Sequence, residues 1–287
     1  MRGRILSIGV LIFLLSIAPS RVGAQESDQG ELNPARSQEH EASSLGGWSF
    51  SFVPYLWLPE INGNVQVRRL SASFHVGYDQ IFDLLGDGDL FAAMGHFEAR
   101  RGRLSLFVDA VGGHVTPSGE SPRGAKVDST INFSFVEFGP AFRILEMPSW
   151  VAGRRPIVIE ALTGGRFMYF YSKLSLAGQR GLVNVSDSAS LDWVDPFVGG
   201  RWRVPIVGDL DLSFRGDIGG FGAGSQLAWN ILSGFEYALP WKVFSATTRA
   251  MAGYKVLDFD YGTGSGQKKR SADLNLRGPV LGIAFDF

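Results

Sequence analysis

Hydrophobic and polar residues alternate through most of the chain, from Trp48 to Phe287, in segments of about ten to fifteen residues. In one such segment Leu104 and Leu106 share one side, while Ser105 and Asp109 share the other. Successive side chains of a β-strand point to opposite faces, so this period of two predicts strands with one apolar and one polar face. The pattern predicts an all-β protein.

Three features favour a transmembrane barrel over a soluble sandwich, in which strands also alternate. Each segment covers the roughly 9–11 residues that a tilted strand needs to cross a bilayer. Aromatic residues at segment ends are typical of interfacial girdles, and here they are Trp48, Tyr55, Trp57, Trp150, Trp193, Trp202 and Trp241. The alternation also continues to Phe285 and Phe287, an ending that resembles the membrane-insertion signal of bacterial outer-membrane barrels.

The spacing of the segments predicts a single antiparallel barrel of 10–12 strands. The predicted strands are 48–58, 62–68, 71–77, 90–101, 103–114, 127–144, 156–173, 190–204, 209–221, 225–239, 242–258 and 273–287. Both chain termini of the barrel should be periplasmic, so the wall must hold an even number of strands. The number is twelve, which we favour, if 62–77 forms a hairpin in the wall, and ten if that hairpin projects from the rim. Apolar spacing over 79–85 predicts a short helix.

The first 24 residues have the parts of a cleaved secretory signal peptide. Two arginines precede an apolar run from Ile5 to Ala18, and small residues end the segment at Ala24. This run is shorter than the roughly 20 residues that a spanning helix needs. The next stretch holds few large apolar side chains and predicts a flexible lead-in. We therefore expect a signal peptide at 1–24, a periplasmic lead-in at 25–47 and an outer-membrane barrel at 48–287.

Composition narrows the function further. The formal net charge is −1, which provides no basic surface for nucleic acid, so no nucleic-acid partner is expected. The chain has no cysteine, which excludes disulfides, thiolate metal sites and cysteine nucleophiles.

Alternate positions along the strands assign many charged residues to the lumen. They are Glu98, Arg100, Asp109, Glu137, Arg143, Glu160, Arg166, Asp195, Arg201, Arg203, Asp211, Arg215, Asp217, Glu236 and Arg249. The set has eight acids, seven arginines and no lysine, and arginine forms multidentate pairs with carboxylates in confined spaces. A selective pore would carry an excess of one sign. The balance favours an ion-paired network that fills a modest barrel, and a narrow aqueous path lined by both signs is the alternative.

Few residues combine into a candidate chemical site. His96 and Glu98 share a strand face and could orient a general base, although a polar lumen pair is the simpler account. Asp87 and Asp89 match part of a calcium loop but lack its later ligands. The glycine-rich run 219–225 lacks the lysine and following helix of a phosphate loop, and predicts a tight outer hairpin. We expect no catalytic residue, no metal and no cofactor.

A resemblance to a known family rests on several stretches together. They are Pro54–Trp57, Gly95–Gly102, Asp195–Arg201, Gly220–Ser225 with Trp229, and Gly278–Gly282. In combination they resemble a family of uncharacterised Gram-negative outer-membrane β-barrel proteins over about 48–287, and more distantly the porin-like small barrels. The resemblance implies a single outer-membrane barrel domain and brings no catalytic or ligand-binding residue with it.

These observations predict an outer-membrane barrel with a passive role, either a narrow channel for small solutes or a structural and surface-interaction barrel. The alternative is an outer-membrane enzyme, a lipid or peptide hydrolase with a rim or lumen site. A soluble periplasmic β protein is a third possibility. The expected partners are outer-membrane lipid, the barrel-assembly machinery during insertion, and lipopolysaccharide, whose phosphates the basic run 267–270 would contact.

Overall fold

The computed structural model describes residues 47–67, 70–116, 118–120, 126–150, 154–177, 184–264 and 270–287. Within these ranges all strands belong to one antiparallel sheet that closes into a ring. The strands are β1 (Trp48–Trp57), β2 (Glu60–Val67), β3 (Leu70–Val76), β4 (Leu90–Arg101), β5 (Leu104–Val115), β6 (Ser118–Glu120), β7 (Lys126–Met147), β8 (Ile157–Ala177), β9 (Asn184–Val207), β10 (Leu210–Gly220), β11 (Ser225–Val243), β12 (Ala246–Thr263) and β13 (Arg270–Asp286). The predicted signal peptide and nearly all of the lead-in lie outside the described residues.

Ten of the described strands form the closed ring, in the order β1, β4, β5, β7, β8, β9, β10, β11, β12, β13 and back to β1. The other two long strands, β2 and β3, form a hairpin outside the ring, and the short β6 pairs only with β7. The sequence left ten and twelve strands open. Ten is the number of strands in the ring, and twelve is that number plus the two strands of this hairpin.

The hairpin leaves the ring where β1 separates from β4. The two strands pair only as far as Pro54, which has no N–H to donate. Beyond that point the backbone N–H of Trp57 donates to the sulfur of Met94 at 3.1 Å instead of to a backbone carbonyl. β2 then begins at Glu60 and continues along β13, and β3 pairs with β2.

One helix, α1 (Tyr78–Asp87), connects β3 to β4 and confirms the helix predicted near 79–85. The side chain of Gln80 accepts a hydrogen bond from the backbone N–H of Gly77 at 3.1 Å, at the start of the helix. Gly88 ends it in the left-handed conformation, which glycine adopts without strain. No helix in the described part of the chain is long and apolar enough to cross a membrane.

The lengths of the connections identify the two ends of the barrel. Two-residue turns join β4 to β5, β9 to β10 and β11 to β12, all at the end that carries Trp48 and Phe287. Outer-membrane barrels have short periplasmic turns and longer external loops, so this end is the periplasmic one. The nine residues from 148 to 156 are the one long connection at this end.

An apolar band surrounds the periplasmic half of the ring. On β5, Leu104, Leu106 and Val108 are each more than 40% exposed, whereas Ser105 and Asp109 are buried. Large apolar side chains are exposed at equivalent positions around the wall, among them Phe97, Phe138, Phe142, Val194, Val198, Ile218, Ile231, Phe235, Leu281 and Ile283. A closed ring satisfies every backbone hydrogen bond internally and an apolar band suits hydrocarbon, as a bilayer requires.

The arrangement of polar and apolar faces inverts in the outer half of the barrel. Along β12, the periplasmic part points Lys255 inward and Tyr254 outward. Two and four residues beyond Lys255, Leu257 and Phe259 are buried inside. Asp258 is on the outer face, where it accepts a hydrogen bond from Asn275 of β13. A polar exterior and an apolar interior are expected of a wall that stands in water. The strands therefore extend beyond the membrane, which accounts for lengths such as the 22 residues of β7.

This inversion corrects part of the predicted aromatic girdle. Trp57 and Trp193 are buried inside the barrel, and Tyr55 also points inward, where it bonds Asp109. Trp150 and Trp241 are exposed near the periplasmic end, as a girdle requires. Position at a strand end could not distinguish the buried aromatic residues from the exposed ones, because both kinds lie near a boundary between lipid and water.

Candidate functional site

The interior of the periplasmic half contains two closed clusters of ion pairs. In the first, Arg201 donates to Glu98 through both terminal nitrogens, at 2.6 and 2.9 Å, and to Glu160 at 2.6 Å. Arg100 donates to the same two carboxylates, at 2.8 and 2.6 Å. Two cations and two anions therefore satisfy one another with short, charge-assisted bonds.

The second cluster lies deeper and has the same composition. Arg166 donates to Glu137 at 2.8 Å and to Asp217 at 2.5 Å, and all three side chains are buried. Arg215 donates to Glu137 at 2.6 Å and to Asp217 at 3.3 Å. Charges as deeply buried as these persist only when they are paired and hydrogen-bonded.

A third group connects opposite walls next to the second cluster. Asp109 accepts a hydrogen bond from the hydroxyl of Tyr55 at 2.8 Å and lies 3.2 Å from Nδ1 of His96. The ammonium of Lys255 approaches the same carboxylate at 3.7 Å and lies 5.0 Å from the ring centre of Trp57. Lys255 thus contacts both the charged half of the interior and the first aromatic ring of the outer half.

Several of these contacts cross the lumen. Arg201 is on β9 and Glu98 on β4, four places apart in a ring of ten strands. Lys255 on β12 and Asp109 on β5 are also four places apart. Side chains that meet across nearly the full width of the ring occupy the space through which a solute would pass.

Aromatic and aliphatic side chains fill the outer half of the interior. Trp193 stacks on Tyr261 with ring centres 4.2 Å apart, and both Trp193 and Phe170 contact Phe259. Phe259 and Met168 are completely buried, and Trp57 is 1% exposed. Phe170 on β8 and Phe259 on β12 again lie four places apart in the ring. The aromatic cluster therefore also spans the lumen.

Asp195 joins the outer hairpin between β10 and β11 to this interior. Its carboxylate accepts hydrogen bonds from the backbone N–H and hydroxyl of Ser225, at 2.6 and 2.7 Å, and from the indole of Trp193 at 3.0 Å. A Cβ on Gly224 would lie 2.5 Å from the Asp195 carboxylate, so only glycine allows this approach. The glycine-rich run forms the predicted hairpin, with positive φ at Gly220 and Gly222.

At the periplasmic mouth a third set of arginines is less completely paired. Arg249 makes two bonds to Asp286, at 2.9 and 3.0 Å, and one to Glu236 at 2.5 Å. Arg203 reaches only the same oxygen of Glu236, at 3.3 Å. Arg143 points its tip toward Glu146 near the rim, at 2.7 Å. These residues line the end of a cavity of about 340 Å³ that extends from the mouth inward to Asp109 and Lys255.

The structure brings most of the predicted lumen residues together. Those in ion pairs are Glu98, Arg100, Glu137, Arg143, Glu160, Arg166, Arg201, Arg203, Arg215, Asp217, Glu236 and Arg249, and Asp109 contacts His96 and Lys255. Asp211 is buried on the same face, where its charge acts on Arg249. Asp195 is inside as well, but its described bonds come from the neutral Trp193 and Ser225.

Sequence reasoning missed Lys255, Asp286 and Tyr55 as members of the interior network. Lys255 and Arg249 are an even number of positions apart on β12 and therefore share a face. Counting alternate positions through to the end of that strand would have included the lysine. The same count extended along β13 would have reached Asp286. Tyr55 was assigned to the membrane interface because of its residue type.

The residues considered as candidates for chemistry, His96 and Asp89, already contact neighbouring side chains. His96 has Asp109 near one ring nitrogen and Glu98 near the other, at 3.2 and 3.6 Å. The side chain of Asp89 accepts a hydrogen bond from the hydroxyl of Thr116 at 3.3 Å. Within the described ranges no group of three His, Asp or Glu side chains is arranged so that it could hold a metal ion.

No protein-family model matches the sequence, and no curated protein matches it. Among solved structures, the chain is similar to the outer-membrane protease OmpT of Escherichia coli, with 10% identity over 85% of this chain and 98% of that one and a TM-score of 0.40. It is also similar to the attachment invasion locus protein Ail of Yersinia pestis, with 13% identity, coverage of 84% and 99%, and a TM-score of 0.31. A FadL homologue of Pseudomonas aeruginosa gives 8% identity, coverage of 84% and 91%, and a TM-score of 0.23.

The class of the protein follows from its own geometry. The sheet is antiparallel and closed, and an apolar band surrounds it. Its short turns lie at the end of the barrel that carries Trp48 and Phe287. These are the properties of a transmembrane β-barrel of the outer-membrane type.

Proposed function

We propose that this protein is a closed outer-membrane barrel with a structural or surface-interaction role. The supporting observation is that both halves of the interior are spanned by side-chain contacts between strands on opposite sides of the ring. Balanced ion pairs occupy the periplasmic half, and the aromatic cluster occupies the outer half. Porins that keep a wide aqueous channel have roughly 16–18 strands, whereas side chains can fill the interior of a small barrel.

A narrow channel for small solutes is the second candidate, and the cavity at the periplasmic mouth favours it. This cavity extends from the mouth inward as far as Asp109 and Lys255. A solute would then have to pass Trp193 and Phe259, so conduction requires the aromatic cluster to separate. The two candidates differ only in whether that separation occurs.

We propose further that the protein is not an enzyme. Both nitrogens of His96 face carboxylates, and its described contacts include no serine or threonine hydroxyl that it could activate. The folded protein should therefore hydrolyse neither lipid nor peptide substrates. Hydrolysis that is present in the unmodified protein and lost in His96→Ala, with the barrel still folded, would support the enzyme alternative.

The proposed location is the cell outer membrane, reached after cleavage of the signal peptide at 1–24. Outer-membrane lipid would contact the apolar band, and lipopolysaccharide would contact the outer rim; the basic run predicted for that contact lies almost entirely outside the described residues. Phe285 and Phe287 remain our prediction for the signal read by the assembly machinery. Phe287 occupies the last place in the ring, where its backbone exchanges two hydrogen bonds with Phe50.

Planar-bilayer conductance tests the closed state directly. Residues 25–287, refolded in detergent and shown to be folded by heat-modifiable migration on SDS gels, should insert without discrete current steps. The double variant Trp193→Ala, Phe259→Ala is the positive control, because it removes the two rings that meet at the centre of the aromatic cluster. Current steps with defined ion selectivity in the unmodified protein would instead establish a channel.

A further inference from the structure

The lining of the cavity at the periplasmic mouth contains more cationic than acidic side chains. Seven cationic and five acidic side chains line it, together with His96. The ion-pair clusters deeper in the barrel each contain two arginines and two carboxylates. The two extra cations in the lining are Arg143 and Arg215, whose carboxylate partners Glu146, Glu137 and Asp217 lie outside it. The cavity therefore presents more guanidinium groups than carboxylates to an occupant, although the interior around it is paired.

Hydrogen-bond donors are also in excess there. The Nε–H groups of Arg143, Arg203 and Arg215 are buried and have no acceptor among the described residues, and all three arginines line the cavity. Guanidinium groups only donate, so these N–H groups require oxygen acceptors from elsewhere. Leaving a buried donor without an acceptor is unfavourable, and native proteins seldom do so.

The carboxylates nearby are already engaged. Glu236 is shared by Arg203 and Arg249, and its shorter bond is to Arg249. Asp286 takes both of its bonds from Arg249. The main-chain oxygen of Phe287, which also borders the cavity, accepts the N–H of Phe50. Among the arginines that line the cavity, Arg203 thus has the longest ion pair, and the like charges of Arg249 and Arg155 act on it as well.

We propose that this cavity is a binding site for a small organic anion from the periplasm, a solute that carries a carboxylate or phosphate group, held chiefly by Arg203 and Arg143. The ionised oxygens of such a group accept hydrogen bonds, and two of them can engage one guanidinium. The volume of about 340 Å³ is in the range of small-ligand pockets. The site lies on the periplasmic side of the deeper ion-pair clusters, so its occupation does not depend on whether the barrel conducts.

Isothermal titration of the refolded protein in detergent tests the site. Sodium succinate and inorganic phosphate are the probes, with sodium chloride added to keep ionic strength constant, because screening changes surface binding. Saturable binding of at least one probe is expected, and the preferred probe distinguishes a carboxylate from a phosphate ligand. Arg203→Gln should weaken it at least tenfold, whereas Arg277→Gln, on the outer face of β13, should leave it unchanged.

Glu236→Gln provides a test with the opposite sign. It removes the carboxylate that competes for Arg203 and Arg249, so the preferred probe should bind several-fold more tightly. Folding of each variant is checked by heat-modifiable migration, and Arg143→Gln replaces Arg203→Gln if the latter does not fold. The proposal is overturned if neither probe saturates with the folded protein, or if binding is equal in Arg203→Gln and Arg277→Gln.

Discussion

The periplasmic and outer halves of the barrel are formed by the same strands but have opposite distributions of polar and apolar side chains. In the periplasmic half Val198 and Leu281 face outward and Arg166 faces inward. In the outer half Asp192 is exposed on the outer face, and Phe259 is buried inside. The backbone pairing continues without interruption between the two halves on β12 and β13.

The difference shows that the surroundings of the wall determine what fills the lumen. Where hydrocarbon surrounds the wall, the outward positions must be apolar, and polar residues occupy the interior as paired charges. Where water surrounds it, the usual rule of soluble proteins returns, and apolar burial stabilises the interior. One half is therefore held by specific ion-pair geometry, and the other by non-directional packing.

The largest effect is expected from breaking the charged half. Arg166→Gln removes a completely buried cation that bonds both Glu137 and Asp217. Arg215 would then be the one described cation bonded to these carboxylates, and loss of one partner of a buried pair typically costs about 3–5 kcal/mol. The free energy of unfolding, measured by urea titration in lipid vesicles with tryptophan fluorescence, should fall by this amount.

Arg101→Gln is the matched control for that measurement. Arg101 is exposed at the periplasmic end of β4, where its guanidinium lies 5.9 Å from the ring centre of Trp48. Its loss should change the free energy of unfolding by less than about 1 kcal/mol, as for other exposed charges. Equal effects of the two substitutions would mean that the buried cluster contributes no more than a surface contact.

A second experiment compares the outer faces of the two halves on one strand. Val198 is half exposed in the apolar band of β9, and Val198→Lys should lower the free energy of unfolding in vesicles by about 2–4 kcal/mol if it lies near the bilayer centre. Asp192→Lys, six residues away on the same face, should change it by less than about 0.5 kcal/mol, because that position is in water. Similar losses at both positions would contradict the inversion.

The sequence predicted the periplasmic half well, because a period of two identifies both faces of a strand in lipid. The exposed Leu104 and Leu106, the buried Asp109 and the inward-facing arginines all follow from counting alternate positions. The prediction failed for Trp57 and Trp193, because it placed them in the interfacial girdle by residue type and position at a segment end. Trp193 and the buried Asp195 are at alternate positions, so counting alone places this indole inside the barrel. Where the wall passes from lipid into water, the inward positions stay the same and the type of residue that fills them changes.

The partners within the site could not be predicted for a different reason. Residues such as Glu98 and Arg201 are 103 positions apart, and their contact depends on how far each strand is shifted relative to its neighbours. The hairpin of β2 and β3 leaves the ring because of a local break at Pro54 and Trp57, which alternation does not reveal. Strand order and stagger had to come from the structure.

The smallest effect is expected where the two halves meet, at the bonds between Asp195 and the outer hairpin. Ser225→Ala removes the hydroxyl that donates to Asp195 at 2.7 Å, while the backbone N–H of residue 225 still donates to the same carboxylate. The loss should be about 1.5 kcal/mol, the low end for a hydrogen bond to a charged group. Ser233→Ala, at an exposed position of the same strand, is the control and should cost less than about 0.5 kcal/mol.

Hydrogen exchange should locate the change in stability. Amides of the β10–β11 hairpin should exchange faster in Ser225→Ala, and those at the periplasmic end of β11 should not. Faster exchange along the whole strand would show that Asp195 stabilises the ring itself, and the two halves would then unfold as one unit.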